Sequence, residues 1–286
     1  MKNTLWKVYG MANNTIGKYA LCNNEPVLLE NFDAKLTKKF PGIYEVVRII
    51  DGVPLFLEDH IKRFRSSAKI LGHELKESDE MFEASLKKLI DLNGCIIGNV
   101  QLVVNGFDKT NYGTYMFFIG YRYPSQQEIK NGVPVILYHA ERNNPNAKTT
   151  DLAFRNGLNA ELARSGAYEA LMVNKNDEIT EGSKSNVFFV SAPKIYTSPL
   201  VNVLPGVTRA KVIYICKGLG LEIVESTIKV SFLKKIDGLF ITGTSPEVLP
   251  ISSVNGIKYD SQTNQVITSI RKSYEKLVED YVKSHK

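Results

Sequence analysis

Asn146-Ala147-Lys148-Thr149-Thr150, followed after a predicted helix and a strand at Tyr168 to Val173 by Ile179-Thr180-Glu181-Gly182-Ser183-Lys184-Ser185-Asn186-Val187-Phe188, decides how this chain reads. A lysine amine is a nucleophile for a carbonyl when it is poised in a partly desolvated pocket. A carboxylate beside a pyridine nitrogen keeps that nitrogen protonated and electron-withdrawing. Lys148 and Glu181 therefore fit two of the three parts of a pyridoxal phosphate site. The third part is a phosphate cradle, for which Leu204-Pro205-Gly206-Val207-Thr208-Arg209, Thr242-Gly243-Thr244-Ser245 and Arg63 are candidates. Pro205-Gly206-Val207-Thr208 opens a predicted helix, whose unpaired N–H groups and positive dipole end suit an anion. A guanidinium such as Arg63 adds charge-assisted, bidentate hydrogen bonds.

Each feature also has an ordinary explanation. Lys148 follows Asn143-Asn144-Pro145-Asn146 and alone reads as a solvated loop lysine. Glu181 sits where turns collect acidic residues, and Arg63, off the apolar face of its helix, reads as a solvent-facing charge. Their order along the chain changes the weighing. Tyr44-Glu45-Val46-Val47-Arg48, Glu58 to Phe64 with Ser67-Ala68, Lys148, Glu181-Gly182 with Ser185-Asn186, Leu204 to Arg209 and Gly243-Thr244 occur in one succession. In this order and spacing the chain resembles the class IV aminotransferases, the fold type IV pyridoxal phosphate enzymes, which include branched-chain and D-amino acid aminotransferases and aminodeoxychorismate lyase.

The resemblance implies an α+β chain of two domains, residues 1–122 and 123–286, with the cofactor pyridoxal 5′-phosphate between them. It implies a homodimer whose pockets receive loops from the partner. Lys148 would be the catalytic lysine. Arg63, Glu181, Leu204, Val207, Thr208, Gly243, Thr244 and Ser245 would bind the cofactor, and Tyr44 and Asn105 would meet the substrate. The expected reaction moves an amino group from an amino acid to a 2-keto acid, branched-chain-like. An aminodeoxychorismate lyase-type elimination uses the same lysine and carboxylate, and a basic nucleic-acid-binding module is the alternative of another class. The chain departs from the family where substrate carboxylates are held. Asn105 and Val100 stand at positions where relatives carry an arginine, and Lys38-Lys39-Phe40-Pro41-Gly42 replaces a glycine-rich segment.

Composition sets the remaining bounds. With 286 residues and 43% hydrophobic content the chain is long enough for one large or two medium cores. The net charge of +6 is spread along the chain, more like a solvated surface than a nucleic-acid footprint. Three widely spaced cysteines, Cys22, Cys95 and Cys216, imply neither a disulfide framework nor a zinc site, and the four histidines have no metal-ligand spacing. No run approaches the roughly 18 apolar residues of a spanning helix, and Met1 to Gly10 lack an apolar core, so a cytoplasmic enzyme without membrane or nucleic-acid partners is expected. Ser66-Ser67-Ala68-Lys69 matches Ser-x-x-Lys but has no Ser-Asp-Asn or Lys-Thr-Gly companion, and Gly218-Leu219-Gly220 lacks a third glycine and a preceding strand.

Period-two runs predict strands over 43–50, 53–56, 99–104, 114–119 and 133–138. Three- and four-residue spacing predicts a helix over 58–71, with Ile61, Phe64, Ala68 and Leu71 on one face and His60, Arg63 and Ser67 on another stripe. Further helices are predicted over 79–92 (Phe82, Leu86, Leu89 and Ile90 inward), 150–164 (Phe154, Leu158 and Leu162 aligned), 207–219 and at the carboxyl end. Strands followed by helices suggest a sheet with helices on one face. Residues 121–127 are expected to link the domains, and Asn255-Gly256 to turn a hairpin.

Overall fold

The computed structural model describes residues 15–286 except 109, 143, 150 and 151, and no side chains within 152–155. The readings of Met1 to Gly10, Asn143, Thr150 and the Phe154 side chain lie outside the described residues. The chain forms two compact units. Residues 15–122 build the first, joined by 147–149 and 281–286, and the rest builds the second.

The first unit is a six-stranded sheet of β1 (Thr15–Cys22), β2 (Glu25–Leu28), β3 (Gly42–Ile50), β4 (Val53–Pro54), β5 (Ile97–Asn105) and β6 (Gly113–Ile119), in the order β2-β1-β6-β5-β3-β4. Alternation along β3 is strict. Ile43, Glu45, Val47 and Ile49 are buried, and the residues between them are half-buried. With Val47 and Ile49, the side chains Val100, Leu102 and Val104 of β5 pack under α1 (Leu57–Ile70) and α2 (Asp79–Asn93), whose Ile61, Phe64, Ala68, Phe82, Leu86 and Leu89 complete that core. The opposite face gathers Ala20, Phe32, Ala34, Val103 and Phe117, with Tyr44 and Tyr115 against them.

Two features depart from the sequence expectation here. β1 and β2 were not anticipated, although their hairpin turns at Asn23-Asn24, where both residues have positive φ, the geometry of a tight primed turn. The strand expected over 53–56 stops at Pro54, because Phe56 takes a left-handed conformation at φ 51 to start α1.

The second unit holds β7 (Val133–His139), β8 (Glu169–Val173), β9 (Glu178–Gly182), β10 (Asn186–Ser191), β11 (Lys194–Thr197), β12 (Glu222–Glu225), β13 (Ile228–Lys229), β14 (Gly238–Gly243), β15 (Glu247–Val254) and β16 (Ile257–Lys258). Their order is β12-β11-β10-β14-β15-β7-β8-β9-β13, with β16 paired to β15 through the Asn255-Gly256 hairpin. Val135, Leu171, Val187, Phe189, Leu239, Ile241 and Ile251 form the core of this sheet. Its helices are α3 (Gln126–Asn131), α4 (Leu152–Ser165), α5 (Val207–Gly218) and α6 (Gln265–Ser284). The segment read as a linker over 121–127 runs into α3, because Ser125 and Glu128 form a reciprocal capping box.

A division after residue 122 assigns Lys148 and the whole of α6 to the second unit, and the structure departs from it twice. Residues 147–149 lie on the edge of β3, where Lys148 O accepts from Tyr44 N at 3.0 Å and Ile43 bridges Thr149. The Tyr281 ring packs on Phe56 with centroids 4.8 Å apart, and its hydroxyl donates to Glu58 at 2.7 Å.

Candidate active site

Four of the sequence-predicted residues belong to the first unit. β4 is only two residues long, so the edge of β3 near Tyr44 is left for Lys148 to occupy. Its N–H donates to Ser67 Oγ at 3.3 Å and its half-buried amine lies 4.8 Å from the centroid of the Tyr44 ring. Main-chain pairing thus fixes the lysine at its root, while the side chain passes over an aromatic face that supports a cation.

Arg63 is not the solvent-facing charge that its helical position suggested. The stripe His60, Arg63, Ser67 is buried and faces Glu45 of β3, which is 1% exposed. Arg63 Nε donates to Glu45 Oε1 at 2.7 Å and Nη2 to Oε2 at 2.6 Å, and His60 Nδ1 lies 2.9 Å from Oε2. Burial alone would push the Glu45 carboxyl up, but the Arg63 guanidinium with the His60 contact holds it well below the usual carboxylate range. Burial pushes the His60 imidazole down. Sequence reading missed Glu45 because strand alternation turns it to the helix side while its neighbour Tyr44 faces the other way.

The same alternation separates the two positions where relatives carry an arginine. Val100 is fully buried in the core under α1 and α2, so an arginine at that position would point away from Tyr44. The β5 residues that share Tyr44's face include Val103, which pairs with it directly, half-buried Gln101 opposite Val46, and Asn105 opposite Gly42. Asn105 is also fully buried, and its amide donates to Leu36 O at 2.7 Å.

In the second unit, Glu181 lies one residue before the end of β9 at 2% exposure. It accepts from Arg142 Nη1 at 3.1 Å, from Leu204 N at 2.9 Å and from Asn186 Nδ2 at 3.4 Å. Asn186 also donates to Leu204 O at 3.0 Å, so one amide ties the carboxylate strand to the loop that precedes α5. Gly206, at the N-cap of α5, sits so close to Asn186 that an added Cβ would fall 2.0 Å from Asn186 Oδ1. No side chain caps this helix, and its first internal bond is Ala210 N to Gly206 O, so the N–H groups of Val207 and Thr208 precede the ladder. Asn186 pairs across the sheet with Thr242, whose hydroxyl is buried with no hydrogen-bond partner, and Gly243, Thr244 and Ser245 follow, half-buried.

These donor sets fit pyridoxal phosphate. An uncapped helix start with Thr208 and an orphaned Thr242 hydroxyl suits a phosphate, a buried carboxylate suits a protonated ring nitrogen, and a half-buried primary amine suits an aldehyde carbon. Arg142, Asn186 and Glu45 were not among the site residues expected from the sequence, and Thr242 entered only as the first residue of the Thr242 to Ser245 stretch. Asn186 stood in the Ser185-Asn186 pair and Glu45 beside Tyr44, whereas Arg142 had no local signal.

The model of the family described as amino-transferase class IV matches residues 42–254. A D-alanine aminotransferase of Bacillus licheniformis is 32% identical over 225 residues, covering 75% of this chain and 79% of that protein. An aminodeoxychorismate lyase of Bacillus subtilis is 25% identical over 254 residues, covering 84% and 87%. Among solved structures, the branched-chain amino acid aminotransferase of Escherichia coli superimposes with a TM-score of 0.82 at 22% identity, over 92% of this chain and 95% of that one. The motifs that run in order from β3 to β15 are thus those of a fold type IV enzyme, and the chain belongs to the class IV aminotransferases.

Proposed function

We propose that this aminotransferase uses pyridoxal 5′-phosphate and transfers the amino group of an amino acid with an apolar, branched-chain-like side chain to a 2-keto acid. The observation that carries the reading is the pinning of Lys148 by main-chain bonds on the edge of β3, with its amine over Tyr44. When bound, the cofactor supplies the carbonyl that takes up the amino group and an electron-poor ring that stabilises charge at the substrate Cα. Lys148 takes the proton from that Cα and returns it on the far side of the exchange. Glu181, paired with Arg142 at 3.1 Å, would hold the ring nitrogen protonated. Val207, Thr208, Thr244 and Ser245 offer N–H and hydroxyl donors to the phosphate, and Leu204 and Gly243 shape the backbone beside it. Arg63 is a further phosphate donor, its guanidinium oriented by Glu45.

The apolar and aromatic surroundings of Tyr44, made by Val103, Tyr115 and Phe117, support an apolar substrate side chain. Neither Val100 nor Asn105 presents a charged group to a carboxylate, so Tyr44 and backbone N–H groups carry that recognition. Hydrogen bonds from neutral donors to a carboxylate are about half as strong as charged ones. Steady-state kinetics on L- and D-amino acids, amines and aminodeoxychorismate test this. Turnover of L-branched-chain amino acids is expected. Efficient and exclusive turnover of D-alanine and D-glutamate overturns it, and pyruvate release from aminodeoxychorismate without amino exchange replaces it with the lyase. By the same family resemblance we read the working unit as a homodimer, which a solution mass of one chain would overturn.

Glu181→Gln should leave the cofactor bound but slow the proton-transfer step in single turnover, because the ring nitrogen loses the anion that keeps it charged. An unchanged single-turnover rate removes Glu181 from this role.

A further inference from the structure

Glu169, the first residue of β8, lies 5% exposed in the second unit. Both of its carboxyl oxygens are taken by serines of one short turn. Ser183 Oγ donates to Oε1, and Ser185 Oγ donates to Oε2 at 3.2 Å. That turn, residues 182–185, joins β9 to β10, and it is also closed by Gly182 N to Ser185 O at 2.8 Å and Ser183 N to Ala170 O at 2.9 Å. A Cβ added at Gly182 would lie 2.0 Å from Ser185 Oγ, so a larger residue here would have to move the Ser185 side chain. Glu181 immediately precedes the turn and Asn186 immediately follows it.

Among the described residues Glu169 has no ion-pair partner, and the Lys184 beside it is exposed. A carboxyl group buried mainly against neutral donors, with only the charge of exposed Lys184 favouring its ionised form, costs more than an apolar residue of the same size would. Burial pushes its carboxyl up, and the Ser183 hydroxyl, the Lys184 charge, the Ser185 hydroxyl and the Ala170 backbone oppose it. Stability therefore does not account for an acid at this point. Geometry does: two divergent carboxyl oxygens clamp two hydroxyls spaced one residue apart, which fixes the path of the chain on both sides of the turn.

We propose that Glu169 is a positioning residue that, through Ser183 and Ser185, holds Glu181 and Asn186 in register with the loop before α5 and so sets the protonation of the bound cofactor's ring. The proposal rests on the assignment of Glu181 to the ring nitrogen. In Glu169→Gln one acceptor becomes a donor facing a hydroxyl, and in the pair Ser183→Ala with Ser185→Ala both donors are lost while the acid stays.

The test compares the visible absorption spectrum of the holoenzyme, its pH titration, single-turnover rates and the melting temperature for these variants and Glu181→Gln. The expected result is a shift of the absorption maximum in the same direction in all three, with single turnover about five- to tenfold slower in the Glu169 and serine variants, the weight of one buried hydrogen bond. The serine pair gives the same reading should Glu169→Gln not fold. If Glu181→Gln shifts the spectrum while the Glu169 and serine variants only lower the melting temperature, Glu169 is a purely structural residue and the proposal falls alone. If Glu181→Gln itself leaves the spectrum unchanged, the assignment of Glu181 falls and the proposal falls with it.

Discussion

Lys148→Ala is expected to erase the visible absorption of the bound cofactor and to cut turnover by roughly a thousandfold or more, since a positioned proton-transferring group alone contributes about 10²–10⁴. The fold should survive almost unchanged. The N–H of Lys148 to Ser67 of α1 and its carbonyl to Tyr44 of β3 are main-chain bonds of this residue, and alanine keeps both. A melting temperature close to that of the parent protein, combined with lost absorption, therefore separates a chemical role from a structural one. Retention of both the absorption and the turnover would mean that the amine is not the group that engages the cofactor.

The largest loss of stability is expected at Glu45. Glu45→Ala leaves the Arg63 guanidinium buried at 8% exposure without its bidentate partner, and it removes the acceptor facing His60. Breaking a buried pair from one side costs about 3–5 kcal/mol, because the remaining charge is stranded. For a chain of this size that corresponds to a drop in melting temperature on the order of 10 °C. Arg63→Ala should cost a similar amount and also weaken cofactor affinity. The double variant should be less destabilised than the sum of the two, and strict additivity in that cycle would show that the pair is not coupled.

The cluster also fixes the sense of the pH dependence. Glu45 is held below its ordinary value in the folded state, so its contribution is complete above the unfolded carboxylate pKa and is lost as pH falls towards the folded one. His60 is depressed by burial, so its cost to folding grows as pH falls below the ordinary imidazole value of 6.5. Both act in one direction, and unfolding free energy should decline on acidification below about pH 6.5. Glu45→Gln should flatten the acid limb of that decline.

The sequence by itself determined the elements that carry chemistry and the order in which they occur. Period-two runs located β3, β5, β6 and β7, and three- and four-residue spacing located α1, α2 and α5, because these patterns answer to burial within a single element. The ordered motifs from Tyr44 to Thr244 determined the family, since each supplies a group that one cofactor needs. What the tertiary structure alone decided is which partners those groups meet. Arg63 looked exposed because its helix already had an apolar face, and only the packing of α1 on β3 shows a second buried face with Glu45 beneath it. Val100 stands where relatives carry an arginine, and only sheet register shows that it faces the core under α1 and α2. Lys148 looked like part of the second domain until pairing with Tyr44 put it on the edge of β3. Glu169 gave no signal at all, because a carboxylate gripping two serines 14 and 16 residues away exists only once β8 and the 182–185 turn lie side by side. Patterning is local and a sequence displays it, whereas the desolvation and pairing of a charged group depend on which distant strand or helix closes over it.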